Sequence, residues 1–352
     1  MTDPIIQDKL DDLFETTPCR NIDQSSKIIV FSDLHMGNGG STDDFVRNAD
    51  LFATVLKNDF LAKGYTVVLN GDIEDLYRFR LRHIMKRWEH VYEIYRELLR
   101  EDRFVKIVGN HDYELYSLPP HSYPFTLVPA ARFLYDGNDI FIFHGHQATS
   151  YFDRWNAVST LLLRYIANPL NIKNRTVAHN SAKRFKTELR VYEFSTRRKI
   201  MTLIGHTHRP LFESYSKIDE LKFKIEEGMR SYEKAEEPRR WTIENEISNY
   251  KQELTRLYEK RDADSLRSGL YNQLVVPTLF NSGCVIGKRG ITGLEISGGR
   301  IRLLHWFDRE VSVQHLSDGE STPERIEGTG FYRTVLRSES LAYIFNRIKL
   351  LA

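Results

Sequence analysis

The chain has 352 residues, 41% hydrophobic and 12% aromatic, with 50 Lys and Arg against 48 Asp and Glu. That is enough apolar content for one large elaborated domain or two, and the near-neutral balance points to no particular partner. Two cysteines, Cys19 and Cys284, exclude a disulfide framework. The start of the chain lacks the basic-then-apolar pattern of an export signal, and no apolar run approaches the ~20 residues of a membrane span, so a cytoplasmic protein without a transmembrane segment is expected.

Ile5, Leu10, Leu13 and Phe14 line one side of a predicted helix in an N-terminal arm, residues 1–26. A first strand, Ile28-Ile29-Val30-Phe31, then runs into Ser32-Asp33-Leu34-His35. Ser41-Thr42-Asp43-Asp44 reads as a helix start, Phe45, Leu51, Phe52, Val55, Leu56 and Phe60 as its apolar face, and Gly64 as its stop. A second strand ends at Asn70-Gly71-Asp72-Ile73-Glu74-Asp75. From Glu74 to about Arg103 the periodicity predicts a helix burying Leu76, Ile84, Trp88, Tyr92, Ile94, Tyr95 and Leu98, with Arg78, Arg80 and Arg82 near its start.

A third strand reaches Gly109-Asn110-His111-Asp112, and two more meet across Asp136-Gly137-Asn138-Asp139, a hairpin turn signal, the second ending at His144-Gly145-His146. Alternation of strands and helices that gives way to a hairpin predicts an α/β layered core of mixed strand direction. Residues 151–200 hold 11 Lys or Arg against 3 Asp or Glu. Trp155, Val158, Leu162, Tyr165 and Ile166 would form an apolar helical face there, and Lys183, Arg184, Lys186 and Arg190 a basic one. A cap over a site and an ordinary surface helix pair both fit this basic segment, residues 150–199.

Met201-Thr202-Leu203-Ile204 leads into Gly205-His206-Thr207-His208-Arg209-Pro210. A charged insertion at about 214–269 follows, with Ile218, Leu221, Ile225, Met229 and Tyr232, then Ile243, Ile247, Tyr250, Leu254 and Leu257, spaced as two antiparallel helices joined near Pro238. Strand character returns at 274–280, and 291–296 with 301–306 form a last hairpin across Ser297-Gly298-Gly299. The polar stretch after Phe307 and the apolar Leu341, Tyr343, Ile344, Phe345 and Ile348 make a C-terminal extension, residues 311–352. This tail and the helical hairpin are candidate contacts for an oligomer or a partner.

Five apolar runs thus end in ligand-type residues, and loops just past strand ends converge at one edge of a sheet. Carboxylate, imidazole and amide oxygen together suit Mn²⁺, Fe or Zn²⁺, and two such ions ~3.5–4 Å apart activate water and neutralise the oxygens of a phosphoryl transition state.

Asp33-x-His35, Gly71-Asp72-x-x-Asp75, Gly109-Asn110-His111-Asp112, His144-Gly145-His146 and Gly205-His206-x-His208 resemble the five ordered motifs of the calcineurin-like metallophosphoesterases, over roughly residues 27–210. The resemblance implies two packed mixed β-sheets flanked by helices, over residues 27–310, with the helical cap and the charged hairpin as elaborations. It implies two divalent metal ions, Mn²⁺ first and Fe or Zn²⁺ as alternatives, acting on an anionic phosphomonoester, phosphodiester or pyrophosphate. Asp33, His35 and His208 would hold one ion, Asn110, His144 and His206 the other, and Asp72 would bridge. His111 would be the general acid, with Asp75 orienting its ring, and Asp112 and His146 would support the ligands. Arg78, Arg80, Arg184 and Lys186 are candidates for substrate binding.

Asp75-Leu76-Tyr77 and Asp112 differ from the phosphoprotein phosphatase branch of the family. His206-Thr207-His208-Arg209-Pro210 and Tyr77 are similar to the bacterial UDP-2,3-diacylglucosamine hydrolases, which cleave a pyrophosphate in lipid A synthesis. The chain departs from those at His111, at His146 and in the hairpin between 212 and 270. A DNA repair-type nuclease is the further alternative, with the basic block tracking a phosphate backbone.

Overall fold

The computed structural model describes residues 4–119, 122–149, 181–214, 235–259, 276–310 and 322–352, with single positions between 221 and 232. The apolar face at 155–166 therefore lies outside the described residues, as does the Arg184 side chain.

In chain order the strands are β1 (Cys19–Ile22), β2 (Ile28–Phe31), β3 (Thr66–Asn70), β4 (Phe104–Ile107), β5 (Leu127–Val128), β6 (Ala130–Tyr135), β7 (Asn138–Phe143), β8 (Met201–Ile204), β9 (Leu279–Asn281), β10 (Ile291–Ser297), β11 (Arg300–Asp308), β12 (Glu324–Arg325) and β13 (Phe331–Ser340). They build two sheets. One has five strands in the order β1-β6-β7-β8-β9, and the other has eight, in the order β12-β13-β11-β10-β2-β3-β4-β5. Strands β2 to β5 run parallel, and β10, β11 and β13 continue the larger sheet antiparallel. The sheets are mixed, as the strand pattern predicts.

Period-two alternation explains the layers. Ile28 and Val30 face inward, packing in one cluster with Ile140, Ile142, Leu203 and Phe280 of the smaller sheet. Ile29 and Phe31 of the same strand face outward, joining α2 (Ala49–Val55), α3 (Leu81–Arg87) and α4 (Glu89–Arg100). On the far side, Phe141 and Phe143 meet Ile6, Leu10 and Phe14 of α1 (Pro4–Thr16) and Val191 and Phe194 of α5 (Ser181–Arg198). Burial of each such side chain is worth about 1.5–3 kcal/mol, which is why both faces of β2 and β7 are apolar. The turn between β6 and β7 places Asp136 at φ 48° and Gly137 at φ 74°, the two left-handed positions of a tight hairpin.

Several expectations need correction. The arm helix buries Leu10 and Phe14 and half-buries Leu13 as expected, but Ile6 takes the place of Ile5, which is 68% exposed. The helix expected from Glu74 begins only at Leu81, because Glu74, Asp75 and Arg78 are committed to buried polar contacts, and it breaks at Trp88 between α3 and α4. Of the strand expected at 274–280, residues 274 and 275 lie outside the described residues, and β9 covers only Leu279–Asn281 of the rest.

In the charged insertion, α6 (Arg239–Glu259) buries Ile243 and half-buries Ile247, Tyr250 and Leu254. The described positions 221, 225, 228, 229 and 232 are helical, and Tyr232 donates to Glu244 at 2.6 Å across the pair, although Met229 is exposed. The stretch set apart as a C-terminal extension is integrated: β13 pairs with β11 along nine positions, and α7 (Leu341–Leu351) buries Leu341, Ile344, Phe345 and Ile348 between the layers.

Candidate metal centre

The motif residues sit on the turns that leave β2, β3, β4, β7 and β8, and the backbone there is unusual. Asp33, His35, Asp72, His206 and His208 all have φ between 47° and 62°. Each left-handed non-glycine residue costs on the order of 1–3 kcal/mol and persists only where its surroundings over-determine it. Here the turns brace one another: Asp33 N–H donates to Gly71 O at 3.1 Å, His35 N–H to Asp72 O at 3.0 Å, and Met36 N–H to Ile73 O at 2.8 Å. A Cβ at Gly109 would overlap the Asp72 carboxylate, and one at Gly71 would overlap the His144 ring, so these glycines are demanded by close approach.

Among the described residues the side chains converge in three donor groups, Asp33 with His35 and His208, His35 with Asp75 and His111, and Asp72 with His144 and His206. His208 Nε2 lies 3.0 Å from Asp33 Oδ1 and 3.1 Å from His35 Nε2. In the last group, Asp72 Oδ2 is 3.1 Å from His144 Nε2. The same Asp72 oxygen is 3.9 Å from His35 Nε2, so Asp72 stands between the groups. His144 is oriented from behind, its Nδ1 donating to Asn70 O at 2.7 Å, which turns Nε2 toward Asp72; burial opposes charge on this ring, but the Asp72 carboxylate raises it to about 9. Asn110 Oδ1 and His206 Nε2 are buried without a hydrogen-bond partner among the described residues, and Asp33 Oδ1 and His144 Nε2 meet only other members of the cluster. Buried polar atoms are otherwise nearly always satisfied, so this clustered deficit, in a carboxylate, amide and imidazole donor set, fits divalent cations.

Electrostatics separate the imidazoles. Burial pushes His35 down to about 4 and His206 down to about 3, keeping both neutral with a lone pair to give. Burial opposes charge at His111 too, but the Asp72 and Asp75 carboxylates raise it to about 9. Its Nδ1 is 3.0 Å from Asp75 Oδ1, and its ring is packed between His35 and Tyr77, each with centroids 4.5 Å away. Asp72 is held well below the usual carboxylate range: burial disfavours its charge, but His144 and His111 more than offset that.

The other expected residues scatter. Asp112 is fully buried and accepts from Ile73 N–H at 2.9 Å and Lys106 Nζ at 2.6 Å. His146 is buried with its ring 5.5 Å from that of His144. Arg78 does not face the cleft: it is buried behind Asp75 at 3.5 Å and donates to Asp44 at 3.2 Å and Thr42 O at 2.6 Å. Arg80 and Lys186 are exposed.

Sequence reasoning missed several supports. Glu188 of α5 accepts from Thr207 Oγ1 at 2.8 Å and pairs with Arg209, gripping the turn that carries His208. Asn281 donates to Gly205 O and Thr207 Oγ1, each at 2.9 Å. Glu74 and Lys106 form a buried ion pair at 2.8 Å, and the readable signal was a lysine inside an otherwise apolar strand.

Among described residues no helix is long and apolar enough to cross a membrane. No curated protein sequence matches the chain. Among solved structures it is similar to a Vps29 mutant from Entamoeba histolytica, at 11% identity over 81% of this chain and 94% of that one, TM-score 0.33. A predicted phosphoesterase from Streptococcus pneumoniae matches at 12% identity over 82% and 91%, TM-score 0.32. A cold-active protein tyrosine phosphatase matches at 11% over 86% and 82%, TM-score 0.36. The profile of the calcineurin-like phosphoesterases matches residues 26–226, more than half of the chain and every motif turn described above, and with that match the protein belongs to this family of metal-dependent phosphoric ester hydrolases.

Proposed function

We propose that the centre is binuclear and hydrolyses an anionic phosphoester, with His111 as general acid. The observation that carries this reading is the convergence of two of the donor groups on one carboxylate, Asp72, beside an imidazole that its neighbours keep protonated. Asp33, His35 and His208 would hold one cation, Asn110, His144 and His206 the other, and Asp72 both. When bound, such a pair supplies an activated water and neutralises charge on the phosphoryl oxygens.

This chain's own residues do the rest. Asp75 binds His111 Nδ1, so the Nε2 proton is the one left to give to the leaving oxygen. Arg78 holds Asp75 from behind, and Tyr77 and His35 fix the ring plane. Around the centre, the five buried carboxylates of Asp33, Asp72, Glu74, Asp75 and Asp112 face four buried cationic groups, Lys106, Arg78 and the imidazoles of His111 and His144, each of the last two raised to about 9.

Mn²⁺ is the first candidate, with Fe or Zn²⁺ as alternatives. Residues 27–310 are read as one catalytic unit, and the sparing use of cysteine fits a reducing cytoplasm. Selectivity is assigned to the exposed Arg80 and Lys186 and to Arg184 of the same basic segment. The test is a hydrolysis panel with Mn²⁺: an aryl monoester, an aryl diester, UDP-linked pyrophosphates and single-stranded DNA. Turnover of one class that disappears with a chelator and returns with Mn²⁺ supports the reading and names the bond. No turnover of any by metal-loaded protein overturns it.

A further inference from the structure

Lys106 stands at a position where an apolar side chain would ordinarily pack. It lies in β4 between β3 and β5, with its side chain fully buried. Its ammonium touches Glu74 Oε2 at 2.8 Å and Asp112 Oδ2 at 2.6 Å. Glu74 Oε1 accepts from Tyr92 at 2.8 Å and Tyr123 at 2.6 Å. Asp112 also accepts from Ile73 N–H, one residue after Asp72, and from Gly109 N–H, one residue before Asn110.

A buried ion pair is a poor device for stability, because desolvation offsets most of the attraction and well-packed apolar residues usually do as well. What ions do that apolar groups do not is fix direction. Two turns leave adjacent parallel strands here, one carrying Asp72 and Asp75 and the other Asn110 and His111. Each places a carboxylate on the same ammonium, and the Asp112 carboxylate reaches both turns.

We infer that Lys106 is a positioning residue: through Glu74 and Asp112 it holds these two turns at the separation that lets Asp72, Asn110 and His111 act on one centre. Direct contact between the turns depends on this spacing, since His111 N–H donates to Asp72 Oδ1 at 2.8 Å and Leu76 N–H to His111 O at 3.1 Å. Without the ammonium, Glu74 and Asp112 face each other as like charges in a dry pocket and drive the turns apart. The inference rests on the reading of Asp72 and Asn110 as metal ligands, and its test is read separately from turnover.

The experiment compares the full-length wild type with Lys106→Met and with the double variant Glu74→Gln/Lys106→Met. In metal-free Lys106→Met, amide hydrogen exchange should quicken in peptides covering 71–76 and 109–113 while those covering 291–307 stay as in the wild type. Mn²⁺ affinity, titrated by the paramagnetic resonance of free Mn²⁺, should weaken about 10–100-fold. On the best panel substrate kcat should fall with KM nearly unchanged. The double variant should recover part of the Mn²⁺ affinity, because the neutral amide that Glu74→Gln introduces does not repel Asp112.

A Lys106→Met protein that melts earlier but binds Mn²⁺ as the wild type does, with normal exchange in both turns, assigns Lys106 to stability alone and overturns the inference. If Lys106→Met does not fold, the double variant decides: weaker Mn²⁺ binding than wild type supports positioning, and equal binding overturns it. Wild-type protein that binds Mn²⁺ but turns over nothing overturns the proposed function and leaves the exchange and binding comparison readable.

Discussion

The two halves of the eight-stranded sheet treat buried charge in opposite ways. In the antiparallel half, Glu295 of β10 is satisfied on the spot, accepting from Tyr65 at 2.8 Å and Arg302 at 2.9 Å. In the parallel half, Asn110 Oδ1 lies buried with no hydrogen-bond partner among the described residues and Asp33 Oδ1 has only the His208 imidazole, 3.0 Å away, next to left-handed backbone. Strand direction explains the difference. Parallel strands send every carboxyl-terminal turn to one edge, where ligands accumulate, whereas antiparallel neighbours alternate ends and join through tight turns such as Gly298-Gly299. The parallel half concentrates left-handed backbone and clustered carboxylate, amide and imidazole groups at its edge, and in the other Trp306 packs against Phe31 and Phe60, its buried Nε1 without a hydrogen-bond partner among the described residues.

The largest test of this division is Asp72→Ala. The carboxylate faces the donors of both proposed cations, so metal content by elemental analysis and turnover should both fall to background. Retention of two metals with full activity would place the site elsewhere. His111→Ala comes next: it should keep its metals yet lose about 10²–10⁴ in kcat on a substrate with a poor leaving group, and much less on a nitrophenyl ester, whose leaving oxygen scarcely needs a proton. Equal losses on both substrates would remove the acid role.

Trp306→Ala sharpens the contrast from the other half. Emptying that fully buried site should cost about 3–5 kcal/mol of unfolding free energy in a denaturant titration. Below the unfolding transition, kcat and KM should stay at wild-type values, and a tenfold loss of kcat in folded protein would show the halves to be coupled.

Asp75→Asn is subtler. Asp75 and Asp72 raise His111 to about 9, so removing one of them lowers that pKa and the acid loses its proton sooner as pH rises. The alkaline limb of the kcat profile should move to lower pH, and an unmoved limb would detach Asp75 from His111. The smallest effect belongs to Arg184→Ala with Lys186→Ala, a surface charge contact being worth ~1 kcal/mol or less. KM for the true substrate should rise several-fold with kcat on a small aryl phosphate unchanged, and no change in either would make the basic segment a solvated surface.

The sequence by itself determined the sheet-edge arrangement. Each of the five motifs follows an apolar strand directly, so a ligand-type residue such as Asp33 or Asp72 is tied to its strand end by covalent distance alone, and the period-two pattern assigns the faces. It also carried the hairpin at Asp136-Gly137, where the turn chemistry is local.

Only the tertiary structure decided what depends on neighbours far along the chain. Arg78 reads as a cation near the cleft in sequence, yet Asp44, 34 residues away, draws it beneath Asp75. Glu74 and Lys106 look like unrelated charges until adjacent parallel strands bring them to 2.8 Å. The β13 strand was unreadable because, with only the two-residue β12 beyond it, it half-buries nearly all its residues and lacks clean alternation, so its place comes from pairing with β11. The left-handed backbone at Asp33, Asp72 and His206 is likewise absent from the sequence, because non-glycine residues adopt it only when hydrogen bonds from neighbouring turns hold them there.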